Sequence, residues 1–128
     1  MIGNNQASEL RQKINEGLKQ MQNLMAIAQE RSEMLQASLY KRSRRCGRKG
    51  CECEQGKLHR DMALSIWSDG QSRLVSLVDM DIGKVGILTE NYRRLRKARA
   101  KLVRTFGGML KDFDTLGRLK QIKVQDLH

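Results

Sequence analysis

The sequence predicts a mostly α-helical protein. Two long helices, packed as an antiparallel hairpin or a coiled coil, flank a Cys-containing loop and a short β-hairpin, and a further helix lies at the C-terminus. Apolar residues recur at steps of three and four before residue 40 and after residue 81, which is typical of amphipathic helices. The 128 residues include no proline and only 4% aromatics, a composition that suits helices better than a β-sandwich. We therefore divide the chain into a coiled-coil-like helix (1–40), a loop and β-hairpin region (41–80) and a basic helical region (81–128).

The first helix is predicted over residues 7–40, with Ser8 as its N-cap. One such helix cannot bury an apolar stripe alone, so it must pack on another helix of the chain or on a second copy, and a homodimer is the commonest closed form. The predicted seam consists of Ile14, Leu18, Met21, Met25, Ala28, Leu35 and Leu39.

The region after the loop predicts a β-hairpin and then two helices. Short β-type runs at 63–67 and 74–78 flank Asp69-Gly70, a strong turn signal. Asp79 or Asp81 can cap a helix that begins near Ile82, and Gly107-Gly108 predicts a break before a last helix over 109–122. The seam of the longer helix consists of Val85, Leu88, Tyr92, Leu95, Ala98, Leu102 and Phe106.

The loop contains all three cysteines of the chain and one of its two histidines, Cys46, Cys51, Cys53 and His59, within fourteen residues. Four nitrogen or sulfur ligands at C-x4-C-x-C-x5-H spacing favour a structural zinc site. Four protein ligands leave no open position for catalysis. A redox-active or merely buried thiol cluster is the alternative. Metal analysis separates the two interpretations.

Positive charge is concentrated in two segments of a chain whose formal net charge is +11. Such clusters favour nucleic acid, either DNA or RNA, because each phosphate contact releases counterions. The alternative is a pair of solvated surfaces, with the helical cations paired to Glu residues of the other helix. The candidate nucleic-acid-binding residues are Lys41, Arg42, Arg44, Arg45, Arg48 and Lys49 in the loop, and Arg93, Arg94, Arg96, Lys97, Lys101 and Arg104 on the helix.

Three aromatic residues, Tyr40, Trp67 and Tyr92, could stack on bases. When aromatics are so few, they more often pack in a core or against a hairpin. We therefore expect Trp67 in the core.

The order of these motifs resembles an uncharacterised family of small bacterial and mobile-element proteins. That family joins an R-x-R-C-G…C-x-C…G…H cluster to a hairpin and an N-Y-R-R-L helix. The resemblance covers roughly residues 37–103, and it implies the fold and metal site more than an activity. After His59 the family has Gly-Pro and a Tyr-rich strand, whereas this chain has Arg60-Asp61-Met62-Ala63.

No glycine-rich phosphate loop, Ser/His/Asp set or carboxylate pair beside a histidine occurs in the sequence, so we expect no enzyme. The odd number of cysteines, the lack of a signal peptide and the lack of a membrane span predict a cytoplasmic protein. We expect a small zinc-stabilised nucleic-acid-binding protein, an accessory factor of a mobile element or phage system. The alternative is an oligomeric helical module that docks on a larger nucleic-acid enzyme, and a thiol-based redox sensor is a third interpretation.

Overall fold

The computed structural model describes residues 4–128, except for the side chains of Asn4, Cys53 and His59. The chain folds into two compact units. We call residues 4–31 and Leu95–His128 the helical unit, and Ser32–Arg94 the sheet unit. The elements are helix α1 (Asn4–Ala28), strands β1 (Ala37–Arg44), β2 (His59–Ser68) and β3 (Gln71–Val75), and helix α2 (Ile82–Leu119), with short 3-10 helices at Glu52–Gln55 and Val124–Leu127.

The three strands form an antiparallel sheet in the order β1-β2-β3, with β2 in the centre. The β2–β3 turn lies at Asp69-Gly70, as the sequence predicted. Both residues have positive φ, 53° and 76°, which is the conformation of a type I′ turn and matches the twist of the flanking strands.

The prediction of a mostly α fold with a two-helix hairpin and a separate C-terminal helix was wrong, because the described residues include this three-stranded sheet. Helix α1 ends at Ala28, not at Tyr40, and the predicted end of that helix and start of the basic loop together form β1. Strand β1 pairs with β2 over eight residues, from Ala37 opposite Ile66 to Arg44 opposite His59. Hydrogen bonding to residues 15 to 29 positions further along the chain therefore overrides the local period of three and four.

The predicted break at Gly107-Gly108 and the separate helix after it were also wrong. Helix α2 runs unbroken for 38 residues, from Ile82 to Leu119. A glycine inside a helix costs about 1 kcal/mol relative to alanine, which lowers the stability of the helix without ending it. The start of α2 agrees with the prediction, because the amide of Lys84 donates to Asp81 Oδ1 at 3.1 Å, the contact of an N-cap residue.

In the helical unit, α1 packs antiparallel on the second part of α2. Ala7, Leu10 and Leu116 form a buried cluster, Gly17 lies against the side chain of Met109, and Thr105 Oγ1 lies 3.4 Å from Gln20 Oε1. The seam predicted for α1 was partly wrong, because Leu18 and Met25 are each 48% exposed. The buried face instead runs through residues 7, 10, 14 and 17.

In the sheet unit, one face of the sheet packs on the start of α2. Leu64 and Val85 are buried, and a β-carbon placed on Gly86 would lie 3.9 Å from Leu39 Cδ2. The amide of Leu35 donates to the carbonyl of Leu88 at 3.0 Å, which ties the segment before β1 to α2. The expectation that Trp67 lies in the core was wrong: its side chain is on the opposite face and is 62% exposed.

Candidate functional site

The loop that contains three of the predicted metal ligands leaves the sheet at the end of the β1–β2 pair, where the fourth, His59, begins β2. Arg44, the last residue of β1, is the Cα partner of His59, the first residue of β2, so both ends of the 45–58 loop leave the sheet together. Cys46 lies two residues beyond Arg44 in this loop. We call the ends of β1 and β2 together with residues 45–58 the loop end of the sheet unit.

Hydrogen bonds between near neighbours determine the shape of the loop. The amide of Arg48 donates to Cys46 Sγ at 3.5 Å, across Gly47, whose φ is 79°. Residues 48–51 then form a β-turn, in which the amide of Cys51 donates to the carbonyl of Arg48 at 3.4 Å. Gly50 is the third residue of that turn and has φ 79°, a value that a type II turn requires there.

The turns bring Cys46 and Cys51 to one cavity of about 430 Å³, and both side chains are half-buried. The other described residues that line it are charged: Arg44, Arg48, Arg60 and Asp61. Cysteine sulfur is one of the ligands that zinc prefers in proteins. The two described thiols are therefore compatible with a metal site.

The four-ligand zinc site itself stays a prediction. Among the side chains that the structure describes, no group of three His, Cys, Asp or Glu residues could hold a metal ion. The side chains of Cys53 and His59, half of the predicted ligand set, lie outside that description.

Three of the cations assigned to the loop, Lys41, Arg42 and Arg44, belong instead to strand β1. Asp61 is the Cα partner of Arg42 and bonds to it twice, at 3.0 Å to Nε and 3.4 Å to Nη2. Its second oxygen lies 3.3 Å from Arg44 Nε. The hydrogen bond from Arg42 is the main reason that the pKa of Asp61 lies below its usual value, and the same bond raises the pKa of Arg42.

The loop cations are in a different environment. Arg45, Arg48 and Lys49 are exposed, and none of the salt bridges among the described side chains involves them. Between residues 41 and 60 there are eight Lys or Arg and two Glu. The loop end of the sheet unit is therefore strongly positive, and the loop cations are the ones most available to an external anion.

Sequence reasoning missed Arg60 and Asp61. Arg60 lines the thiol-containing cavity and a second one of about 470 Å³ beside Lys41 and Ser43, while Asp61 links the two β1 arginines. The alternation of residues 60–66 could have indicated a strand, but nothing local shows that Asp61 faces Arg42. That pairing requires the β1–β2 register.

The cations of α2 are all exposed, from Arg93 to Arg104. Arg93 Nη1 lies 3.4 Å from Glu90 Oε2, one helical turn earlier. For a solvated surface we expected the α2 cations to pair with Glu residues of the other helix. The Arg93–Glu90 ion pair lies within α2 instead.

Among the described residues, neither helix combines the length and the apolar character needed to cross a bilayer. The chain matches none of the protein-family models, curated proteins or solved structures with which it was compared. The resemblance to the mobile-element family therefore stays a prediction from the motifs alone.

Proposed function

We propose that this protein is a small nucleic-acid-binding protein whose main contact surface is the loop end of the sheet unit. The supporting observation is the charge there. Arg45, Arg48 and Lys49 are exposed on the loop, and the cavity that Arg48 lines also contains Arg44, Arg60, Asp61 and two thiols among its described lining residues. The exposed cations of α2 supply a second phosphate-binding surface. DNA and RNA have the same phosphate groups, so cations arranged in this way bind either polymer.

The mechanism is electrostatic. Each Lys or Arg that neutralises a phosphate releases condensed counterions, so affinity falls steeply as salt rises. Cations presented from a loop with hydrogen-bonded turns lose less conformational freedom on binding than cations on a flexible tail would lose. Arg45 and Arg48 flank Cys46 and its hydrogen-bonded turn, so they are the best-positioned contacts.

The zinc part of the proposal assigns Cys46, Cys51, Cys53 and His59 as the ligands. Three thiolates and a neutral imidazole give a zinc site a net charge of about −1, which the neighbouring arginines offset. A bound ion would close the loop and hold its turns, so the metal would be structural. A reversible disulfide among the cysteines is the competing hypothesis, and it predicts protein that contains no metal.

Fluorescence anisotropy with a labelled oligonucleotide, repeated at rising salt, tests the binding. The Arg45→Ala/Arg48→Ala double variant should bind more weakly and should reduce the slope of log affinity against log salt by up to about 2. Lys13→Ala/Lys19→Ala on α1 removes the same charge from the helical unit and is the control. Affinity that does not change with salt would contradict the proposal.

Metal content tests the zinc site separately. Freshly purified protein should contain one zinc per chain, and Cys51→Ser/Cys53→Ser should lose the metal, the thermal stability of the sheet unit and nucleic-acid affinity together. Metal-free wild-type protein, or a double serine variant with unchanged melting and binding, would refute the zinc site.

A second candidate function, an oligomeric interaction module, is favoured by an apolar stripe on the helical unit. Val103, Phe106, Leu110 and Phe113 are exposed at steps of three and four. Each comes directly after a half-buried residue of α2 in the sequence. On α1, Leu18 and Met25 in the same way come directly after Gly17, which is buried, and Leu24, which is half-buried. Because the two helices are antiparallel, residues displaced in this way from both seams lie on the same side of the pair.

We propose that this stripe joins two copies of the chain into a dimer, in which the two helix pairs form a four-helix arrangement. Light scattering should give the mass of a dimer for the wild type and of a monomer for Leu110→Lys/Phe113→Lys. Ile87→Lys, at an equally exposed position of α2 in the sheet unit, should remain dimeric. A wild-type monomer would refute self-association. A complex with a larger protein that resists nuclease and high salt would favour docking on a nucleic-acid enzyme.

A further inference from the structure

The register of the sheet separates its residues into two faces. Leu39, Leu64 and Val75 lie on one face, because Leu64 is the Cα partner of both other residues, and this is the face that packs on α2. The other face, which we call the open face, contains alternate residues of all three strands. They are Ser38, Tyr40, Arg42 and Arg44 on β1, Asp61, Ala63, Ser65 and Trp67 on β2, and Ser72 and Leu74 on β3.

The open face exposes more apolar surface than a half-solvated sheet requires. Trp67 is 62% exposed, Leu74 60% and Tyr40 40%. Antiparallel sheets with one solvated face usually present polar side chains on that face. Several large exposed apolar residues on one face indicate a contact surface.

Small residues surround the tryptophan. Ser72 is the Cα partner of Trp67, and the hydroxyl groups of Ser65 and Ser72 are 2.8 Å apart in a hydrogen bond. Neither serine is large enough to cover an indole ring. The ring of Trp67 is therefore accessible to a flat ligand.

Cations continue the same face along β1. Tyr40, Arg42 and Arg44 alternate in the strand, so successive members are about 7 Å apart. Asp61 holds the guanidinium groups of Arg42 and Arg44 on this face through its two carboxylate oxygens. The open face thus combines accessible aromatic rings with positioned guanidinium groups, and it leads directly to the loop end of the sheet unit.

We propose that the open face is a stacking platform for unpaired bases, so that the ligand of the sheet unit is single-stranded nucleic acid. Bases stack on Trp67 and Tyr40, and the sugar-phosphate backbone follows Arg42 and Arg44 toward the loop. Aromatic rings bind every base by stacking but cannot reach bases within a duplex. This inference depends on the proposed function and narrows it from nucleic acid to single strands.

The chain contains one tryptophan, so its intrinsic fluorescence reports on Trp67 alone. The test titrates the full-length protein with an oligo(dT) strand and, separately, with a duplex of the same length. Stacking should quench the emission of Trp67 over the concentration range in which anisotropy detects binding of the single strand. The duplex should leave the emission unchanged.

Trp67→Ala should weaken oligo(dT) binding by about tenfold and change duplex binding by less than twofold. Trp67→Phe should restore most of the loss, because a phenyl ring also stacks. Ile122→Ala is the control, because it removes a large apolar side chain of similar exposure, 65%, from the helical unit and lies outside the apolar stripe, and it should leave both affinities unchanged.

The outcomes separate the two levels of the proposal. If oligo(dT) binds without quenching and Trp67→Ala keeps its affinity, the stacking platform is refuted while nucleic-acid binding stands. If the emission of Trp67 depends on protein concentration without any nucleic acid, the open face binds a second copy, and the platform is again refuted. If neither nucleic acid binds, the proposed function itself fails.

Discussion

The helical unit and the sheet unit differ in how far apart in the sequence their hydrogen-bonded backbone residues are. In the helical unit, nearly every backbone hydrogen bond joins residues four apart, and the two helices meet through small clusters such as Ala7, Leu10 and Leu116. In the sheet unit, the backbone of β1 bonds to residues up to 29 positions away, at Ala37 and Ile66. Local sequence patterns therefore describe the first unit far better than the second.

The charges follow the same division. The candidate cations of α2 are exposed on the helix surface, whereas Arg42 and Arg44 of β1 share a partner from another strand, Asp61, because of the strand register. The sheet unit thus contains two arginines that an ion pair with Asp61 positions, and the helical unit has a charged surface and an apolar stripe. This difference is the basis of our proposals that the sheet unit provides the main contact with nucleic acid and that the helical unit self-associates.

The largest expected effect comes from the core of the sheet. Leu64 on the central strand is 3% exposed, so Leu64→Ala should lower the free energy of unfolding by about 2–5 kcal/mol. Urea unfolding followed by Trp67 fluorescence measures this change. Leu74→Ala, on the open face, is the matched control and should change stability by less than about 0.5 kcal/mol. Equal losses in both variants would mean that the open face is buried in solution.

A somewhat smaller effect is expected where the two helices pack. A β-carbon on Gly17 would lie 2.6 Å from Met109 Cγ, so Gly17→Leu should force Met109 aside and destabilise the helical unit by about 1–3 kcal/mol. Circular dichroism at the helical minimum during thermal unfolding measures it. A stabilised variant would show that α1 does not pack against this part of α2.

A gain in stability is expected at Gly108. This residue is exposed within α2, and a β-carbon there would meet no other atom within 4 Å among the described residues. Gly108→Ala should therefore stabilise the protein by about 0.5–1 kcal/mol through helix propensity alone, measured in the same thermal experiment. If the variant is destabilised, the helix bends or breaks at the glycine pair.

The smallest effect on stability concerns Asp61, whose ion pairs are partly exposed. Its pKa in the folded protein lies below its ordinary value of 3.8. The stabilisation of the folded state by its ion pairs is therefore complete when the pH is well above 3.8, and it is lost as the pH falls through the lowered pKa. In Asp61→Asn, the free energy of unfolding should therefore fall less than in the wild type as the pH is lowered. Removing the carboxylate also frees two arginines, which should increase oligonucleotide affinity by about twofold to fivefold. Weaker binding would instead mean that Asp61 is needed to position Arg42 and Arg44.

The sequence identified several features that depend on neighbouring residues. The Asp69-Gly70 turn and the Asp81 cap follow from backbone and side-chain geometry within four residues, so local chemistry was sufficient to predict them. The two amphipathic helical segments were predicted for the same reason, although of their boundaries only the start of α2 was predicted. Helix α1 was predicted about a dozen residues too long, because the apolar period continues into residues that pair as β1.

The sequence alone determined the two clusters of positive charge, the Cys/His loop and the helical periodicity, because these depend on the order of residues and on contacts within a turn or two. Only the tertiary structure decided that residues 37–44 form a strand, that Asp61 joins Arg42 to Arg44, and that Trp67 lies on a solvent-exposed face. The physical reason is that strand pairing and register arise from hydrogen bonds between distant segments, and the face that a strand residue occupies follows from that register.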